Sequence, residues 1–259
     1  MKISSINAEA ARQVNRAIKL FPGRVSLIPR TWYFGRFISM LTENSQPFHP
    51  RREGMPGTET IFQHTLKDMI VLRSFLLNRP EQIKIDEITF PPRNADDPCG
   101  ALKRMAMKSR AVFDLAELAR EPKAVRLLDV FVLYHDIAKR TGDRKDHEGI
   151  GAEYFMKAQS YFRQFMSENE IQMIYLLIKY HGVYGQIDAA RSKGLPLPNY
   201  DDLLAEIVKY NFSPNEKGLV IKSLFLFNIV EGLQSDVFSA DFYSTSKFED
   251  ILGYYRKVQ

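Results

Sequence analysis

Cysteine is almost missing from this chain: Cys99 is the only one among 259 residues. A single thiol excludes an intrachain disulfide and any zinc cluster of several thiolates within one chain, so a bound metal must draw its ligands from His, Asp or Glu. Long apolar runs are lacking too. The longest, around residues 130–134 and 224–227, fall far short of the roughly 20 residues that a membrane-spanning helix needs. The opening MKISSINAEAARQVNRAIKL carries charges every few residues and has no apolar stretch of the secretory type. The expectation is a cytoplasmic protein with no membrane partner, in which the NFS tripeptide at Asn211 is never glycosylated. No phosphate-binding Gly-rich loop, nucleophile elbow or zinc-protease motif occurs, which leaves the enzyme classes built on them without a signature.

What is present is ordinary for a globular chain. A hydrophobic fraction of 45% with 26% charged residues gives no sign of a disordered or fibrous protein, and the length suits one compact unit with elaborations. The net charge of +5 and pI near 9.1 favour an anionic partner such as a nucleotide, a phosphoester or RNA. The basic residues are spread along the chain rather than gathered in runs, so a solvated surface accounts for them equally well.

Helical periodicity dominates and long alternating segments are absent, which predicts an all-α fold. Residues 1–57 read as a basic N-terminal extension. It has one helix near residues 8–20, then Pro22, Gly23, Pro29, Pro47, Pro50, Pro56 and Gly57, and its cluster Trp32, Tyr33, Phe34 and Phe37 suits packing better than stacking on a base. Thr58 is placed to cap a helix to about Leu77. Residues 83–123 look partly like an insertion, with IKIDEITF the one β-like stretch. A helix over 101–120 is expected next, then one opened by Pro122 that carries LLDVFVLYHDIAK to about Lys139. Asp146 is placed to cap a helix through about Phe165, with His147 first and Glu148 in the first turn. SENE at residues 167–170 and SPNE at 213–216 have the form of capping boxes, opening helices that end at Gly182 and near Ser235. Another helix is expected over 201–210.

There are five histidines. His49, in QPFHPRR, reads as a loop residue. The other four occur in the order His64, His135 with Asp136, His147, His181, at element ends or beside acids. Imidazole nitrogens and carboxylate oxygens suit a divalent metal of intermediate hardness, and several helices can aim them at one interior point. Lys139 follows Asp136 by three residues and shares its face, where an ammonium could hold a phosphate oxygen. Gly151, one turn after His147, would leave space for substrate or metal. Asp68, one turn from His64, could fix an imidazole tautomer from outside the ligand shell.

These residues resemble the HD superfamily of metal-dependent phosphohydrolases. The resemblance lies in FQHTLKD, LYHDIAKRTGDRKDHEGIGAEYF and LLIKYHG, covers roughly residues 58–239 apart from 83–123, and is closest to the HD domain of bacterial CCA-adding tRNA nucleotidyltransferases. It implies an HD-type helical bundle over 58–259 with a metal site in its core. It implies metal ligands at His64, His135 and Asp136, a second ion held by His147 and His181, and a late acid. SDVFS favours Asp236 for that acid, with Asp241 and Glu231 as alternatives. It further implies a phosphatase or phosphodiesterase reaction on a nucleotide or RNA-derived substrate, in which Asp136 and Lys139 act catalytically and Lys139, Arg144 and Lys145 meet the phosphate. One or two ions of Mn, Fe, Ni, Mg or Zn would serve. No Gly-Ser with a following Asp-x-Asp pair is present, so nucleotidyl transfer is not expected. A nucleotide-sensing module without turnover and a two-iron oxygenase are the alternative functions; the oligomeric state is not readable.

Overall fold

The computed structural model describes residues 64, 65, 68, 69, 71, 72, 76, 110–139, 146–184, 186 and 200–234. Residues 1–57, the β-like stretch at 83–90, Arg144, Lys145, Asp236 and Asp241 lie outside them. Among the described residues the fold is all-α, without a strand, and no helix is long and apolar enough to cross a membrane.

The described positions between His64 and Leu76 are all helical and all buried. Next come α1 (Arg110–Leu115) and a 3-10 turn (Ala116–Arg120), so the expected continuous helix to Arg120 tightens in its last turn. Val112, Leu115 and Leu118 share one core with Phe131 and Phe227, which makes this part of 83–123 a structural member of the bundle. Pro122 stands at the start of α2 (Pro122–Tyr134), where its missing N–H is no loss.

The helix expected to run from His147 through Phe165 is instead two, α3 (His147–Lys157) and α4 (Gln159–Phe162), broken at Ala158. There the Ala158 amide bonds the Phe155 carbonyl at 2.9 Å, three residues back. The bend lets Phe155 and Phe162 both meet the Tyr134 ring, with centroids at 5.6 and 5.8 Å. Asp146 holds the N-cap position without a side-chain cap bond. Its carbonyl, not its carboxylate, starts the helix by accepting from the Ile150 amide at 3.1 Å.

Helix α5 (Glu168–Lys179) is the hub, packing against α2, α3 and α7 (Pro214–Gln234). Its buried Ile171, Ile174, Leu177 and Ile178 each stabilise the fold by roughly 1.5–3 kcal/mol. Helix α6 (Tyr200–Lys209) joins it through a Lys179–Glu206 ion pair at 2.8 Å.

Both capping boxes form, and both also lock helices together. Ser167 caps the Glu170 amide, and Glu170 also pairs with Arg126 of α2. Glu216 takes the Ser213 amide at 3.0 Å, Lys123 of α2 at 2.9 Å and Asn169 of α5 at 3.2 Å. One carboxylate thus gathers the N-terminal ends of α2, α5 and α7, which places the opposite ends of α2 and α5 together.

Gly151 does not open space for a ligand, contrary to expectation. A Cβ there would lie 3.3 Å from Ile178 Cγ2 and 3.6 Å from the His135 carbonyl oxygen. The glycine instead lets α3 press against α5 and the end of α2, which brings His147 to the doublet.

Candidate metal centre

Helix α2 ends at Tyr134, so the doublet lies just past it rather than within it. Beyond that point the hydrogen bonds shorten to three residues, with the Ile137 amide on the Tyr134 carbonyl at 3.2 Å and the Lys139 amide on the Asp136 carbonyl at 3.0 Å. At three residues per turn, positions i and i+3 eclipse. Lys139 therefore stands over Asp136, its Nζ 2.7 Å from Oδ2.

His135 Nδ1 lies 2.7 Å from the Val132 carbonyl oxygen, and His181 Nδ1 lies 2.8 Å from that of Ile178. A carbonyl cannot donate, so each Nδ1 carries the proton, and each ring turns Nε2 inward. His181 sits two residues beyond the end of α5, at the same kind of helix terminus. The near-perpendicular rings of the two histidines have centroids 5.3 Å apart, and Phe227 of α7 closes the floor at 4.8 Å from the His135 ring.

Asp136 lies between two histidine pairs. Its Oδ2 is 3.3 Å from His135 Nε2 and 3.8 Å from His64 Nε2. Its Oδ1 is 3.6 Å from both His147 Nε2 and His181 Nε2, and those two nitrogens are 3.3 Å apart. Two candidate groups for a metal ion result: His64, His135 and Asp136, and Asp136, His147 and His181. All are buried except His147, which is half-buried. The structure thus brings together five of the expected ligands, and of the three acids considered for the late position only Glu231 is described.

Buried His135 Nε2 and Asp136 Oδ1 have no hydrogen-bond partner. With Nδ1 committed to the Val132 carbonyl, His135 presents Nε2 beside the Asp136 carboxylate, a nitrogen and an oxygen donor of the kind a divalent cation takes. The residues present therefore fit a metal ion.

The charges of the site are interdependent. Burial alone would raise the Asp136 carboxyl, but His135 and the Lys139 ammonium hold it well below the usual carboxylate range. Burial alone would lower His181; the Asp136 carboxylate, with help from Glu231 and Glu148, raises it instead. Glu148 is pushed up by burial, with His181 opposing and Glu231 adding to the rise.

Glu148 was expected only as a helix-dipole residue, yet it faces the second histidine pair. Its carboxylate rests against Gly182, where a Cβ would lie 2.3 Å from Oε1, and Gln186 donates to that oxygen at 3.4 Å. Gly182 does not end α5 in the left-handed conformation; its φ lies outside that region. Its hydrogen makes room for Glu148. The adjacency of Glu148 to His147 was the available sequence signal. No protein-family model matches the chain, and neither a curated protein nor a solved structure matches it.

Proposed function

We propose that the chain is a metal-dependent phosphohydrolase of the HD type, cleaving a phosphomonoester or phosphodiester of a nucleotide or RNA-derived substrate. The observation that carries this reading is the Asp136 carboxylate, which turns one oxygen toward His147 and His181 and the other toward His64 and His135. A carboxylate shared in this way is the natural bridge of a two-ion site.

In this reading His64 and His135 would hold one ion and His147 and His181 another, with an Asp136 oxygen available to each. A divalent ion supplies Lewis acidity at a phosphoryl oxygen and lowers the pKa of water toward neutrality. Asp136 Oδ1 would orient the attacking water by accepting a hydrogen bond from it. Lys139, anchored on Asp136 but with its side chain 18% exposed, reaches the phosphate and offsets the charge that develops there. Glu148, raised by burial, is a suitable proton carrier for the leaving oxygen. The backbone anchors of His135 and His181 keep both rings fixed, so little reorganisation is needed as substrate binds.

The deciding experiment is metal analysis of wild type and Asp136→Asn, each assayed on p-nitrophenyl phosphate, its bis ester and a nucleotide panel with added manganese, nickel or magnesium. Metal-dependent turnover in the wild type that is lost in the variant supports the proposal. Bound metal without turnover moves the assignment to a sensing module or, if iron-loaded protein consumes oxygen, to an oxygenase. Absence of metal under every condition ends the reading.

A further inference from the structure

We infer that Asp68 is a direct ligand of the ion held by His64 and His135. This rests on the metal-centre reading above and departs from the expectation that Asp68 supports His64 from outside. An outer carboxylate steadies a ligating imidazole through the ring nitrogen that faces away from the metal. Asp68 is on the other side. Its Oδ2 lies 3.2 Å from His64 Nε2, the same nitrogen that faces Asp136 at 3.8 Å. The same Oδ2 lies 3.6 Å from His135 Nε2, whose Nδ1 is committed to the Val132 carbonyl. One oxygen therefore faces the inward nitrogens of both histidines, as a ligand does and a remote support does not.

The local sequence explains the placement. His64 and Asp68 are four residues apart in a helical segment, so their side chains lie on one face, one turn apart. Both are buried, Asp68 completely. Two fully buried carboxylates, Asp68 and Asp136, then converge on one imidazole pair, and the Lys139 ammonium sits on Asp136. His64, Asp68, His135 and Asp136 give two nitrogens and two carboxylates, a complete four-ligand set for a metal of intermediate hardness. The first ion then requires no late acid.

The test compares chelator-treated and manganese-loaded wild type with Asp68→Asn, which keeps a hydrogen-bonding side chain and removes the charge. Direct ligation predicts that bound manganese falls from two equivalents to one, or that the first ion weakens by more than about 100-fold, beyond the range typical of an outer partner. Two equivalents retained with undiminished affinity would overturn the inference. Should the variant not fold, anomalous scattering from manganese-loaded wild-type crystals decides. Asp68 Oδ2 within about 2.2 Å of the ion supports ligation, and Oδ2 beyond 3 Å overturns it. Wild type that takes up no metal refutes the metal-centre reading itself, an outcome distinct from either.

Discussion

His135 and His181 meet edge to face, with ring planes at 86°, and each turns its Nδ1 to the carbonyl three residues earlier. They follow two different helices, α2 and α5, that pack side by side. The last carbonyls of a helix lack amide partners. An imidazole just past the end can take one, and its Nε2 is then aimed away from the helix. The same device used twice on adjacent helices, with Asp136 between, produces a two-sided site.

His181→Gln should therefore remove one ion and leave the other. Bound manganese is expected to fall from two equivalents to one, read by elemental analysis after gel filtration, because His64, His135 and Asp136 are untouched. Loss of both ions would mean that the two sides do not bind independently.

Lys139→Met should separate turnover from metal binding. The ammonium lies against Asp136 Oδ2 at 2.7 Å, and its removal leaves the carboxylate more exposed to a metal's attraction. Metal content should be unchanged while kcat falls by about 10²-fold or more, in line with the loss of one charge-stabilising donor. Unaltered kcat would remove Lys139 from the proposed chemistry.

Gly182→Ala should fold, since the atom in its way is the end of a flexible side chain, and should displace Glu148. Thermal stability is expected to change by less than about 1 kcal/mol, while activity drops and its pH profile loses the limb that Glu148 contributes. A crystal structure with the Glu148 carboxylate still beside His181 would contradict this.

Glu216→Gln addresses stability alone. Lys123, the Ser213 amide and Asn169 draw the Glu216 pKa down from 4.5 to about 2. A lowered folded-state pKa adds stability that is complete above about 4.5 and is lost as the pH falls toward 2. The variant should be less stable than wild type by roughly 1–2 kcal/mol at neutral pH, measured by urea unfolding. The gap should close between pH 4.5 and 2; a gap independent of pH would show that the contribution is not ionic.

The helices were largely legible because each announces itself locally. Pro122, the two Ser-to-Glu capping boxes and the 3.6-residue apolar pattern fixed α2, α5 and α7 to within a few residues. The break at Ala158 was not legible, because it depends on Phe155 and Phe162 sharing the Tyr134 ring, a contact across helices. The histidines and Asp136 were legible as a set through their order and the chemistry of their donors. Gly151 was not legible, because the space beside it depends on Ile178 and the His135 carbonyl of neighbouring elements.

An all-α fold, a lone thiol, and four histidines with an Asp beside one of them can be read from composition and periodicity, which act through neighbours along the chain. That Asp136 divides its two oxygens between two histidine pairs, that Gly182 yields its place to Glu148, and that Asp68 faces the inward nitrogens follow from contacts between helices. Those relations span up to 117 residues, from His64 to His181. They arise from the packing of α2, α3 and α5, in which side-chain direction is set by contacts that no local pattern encodes.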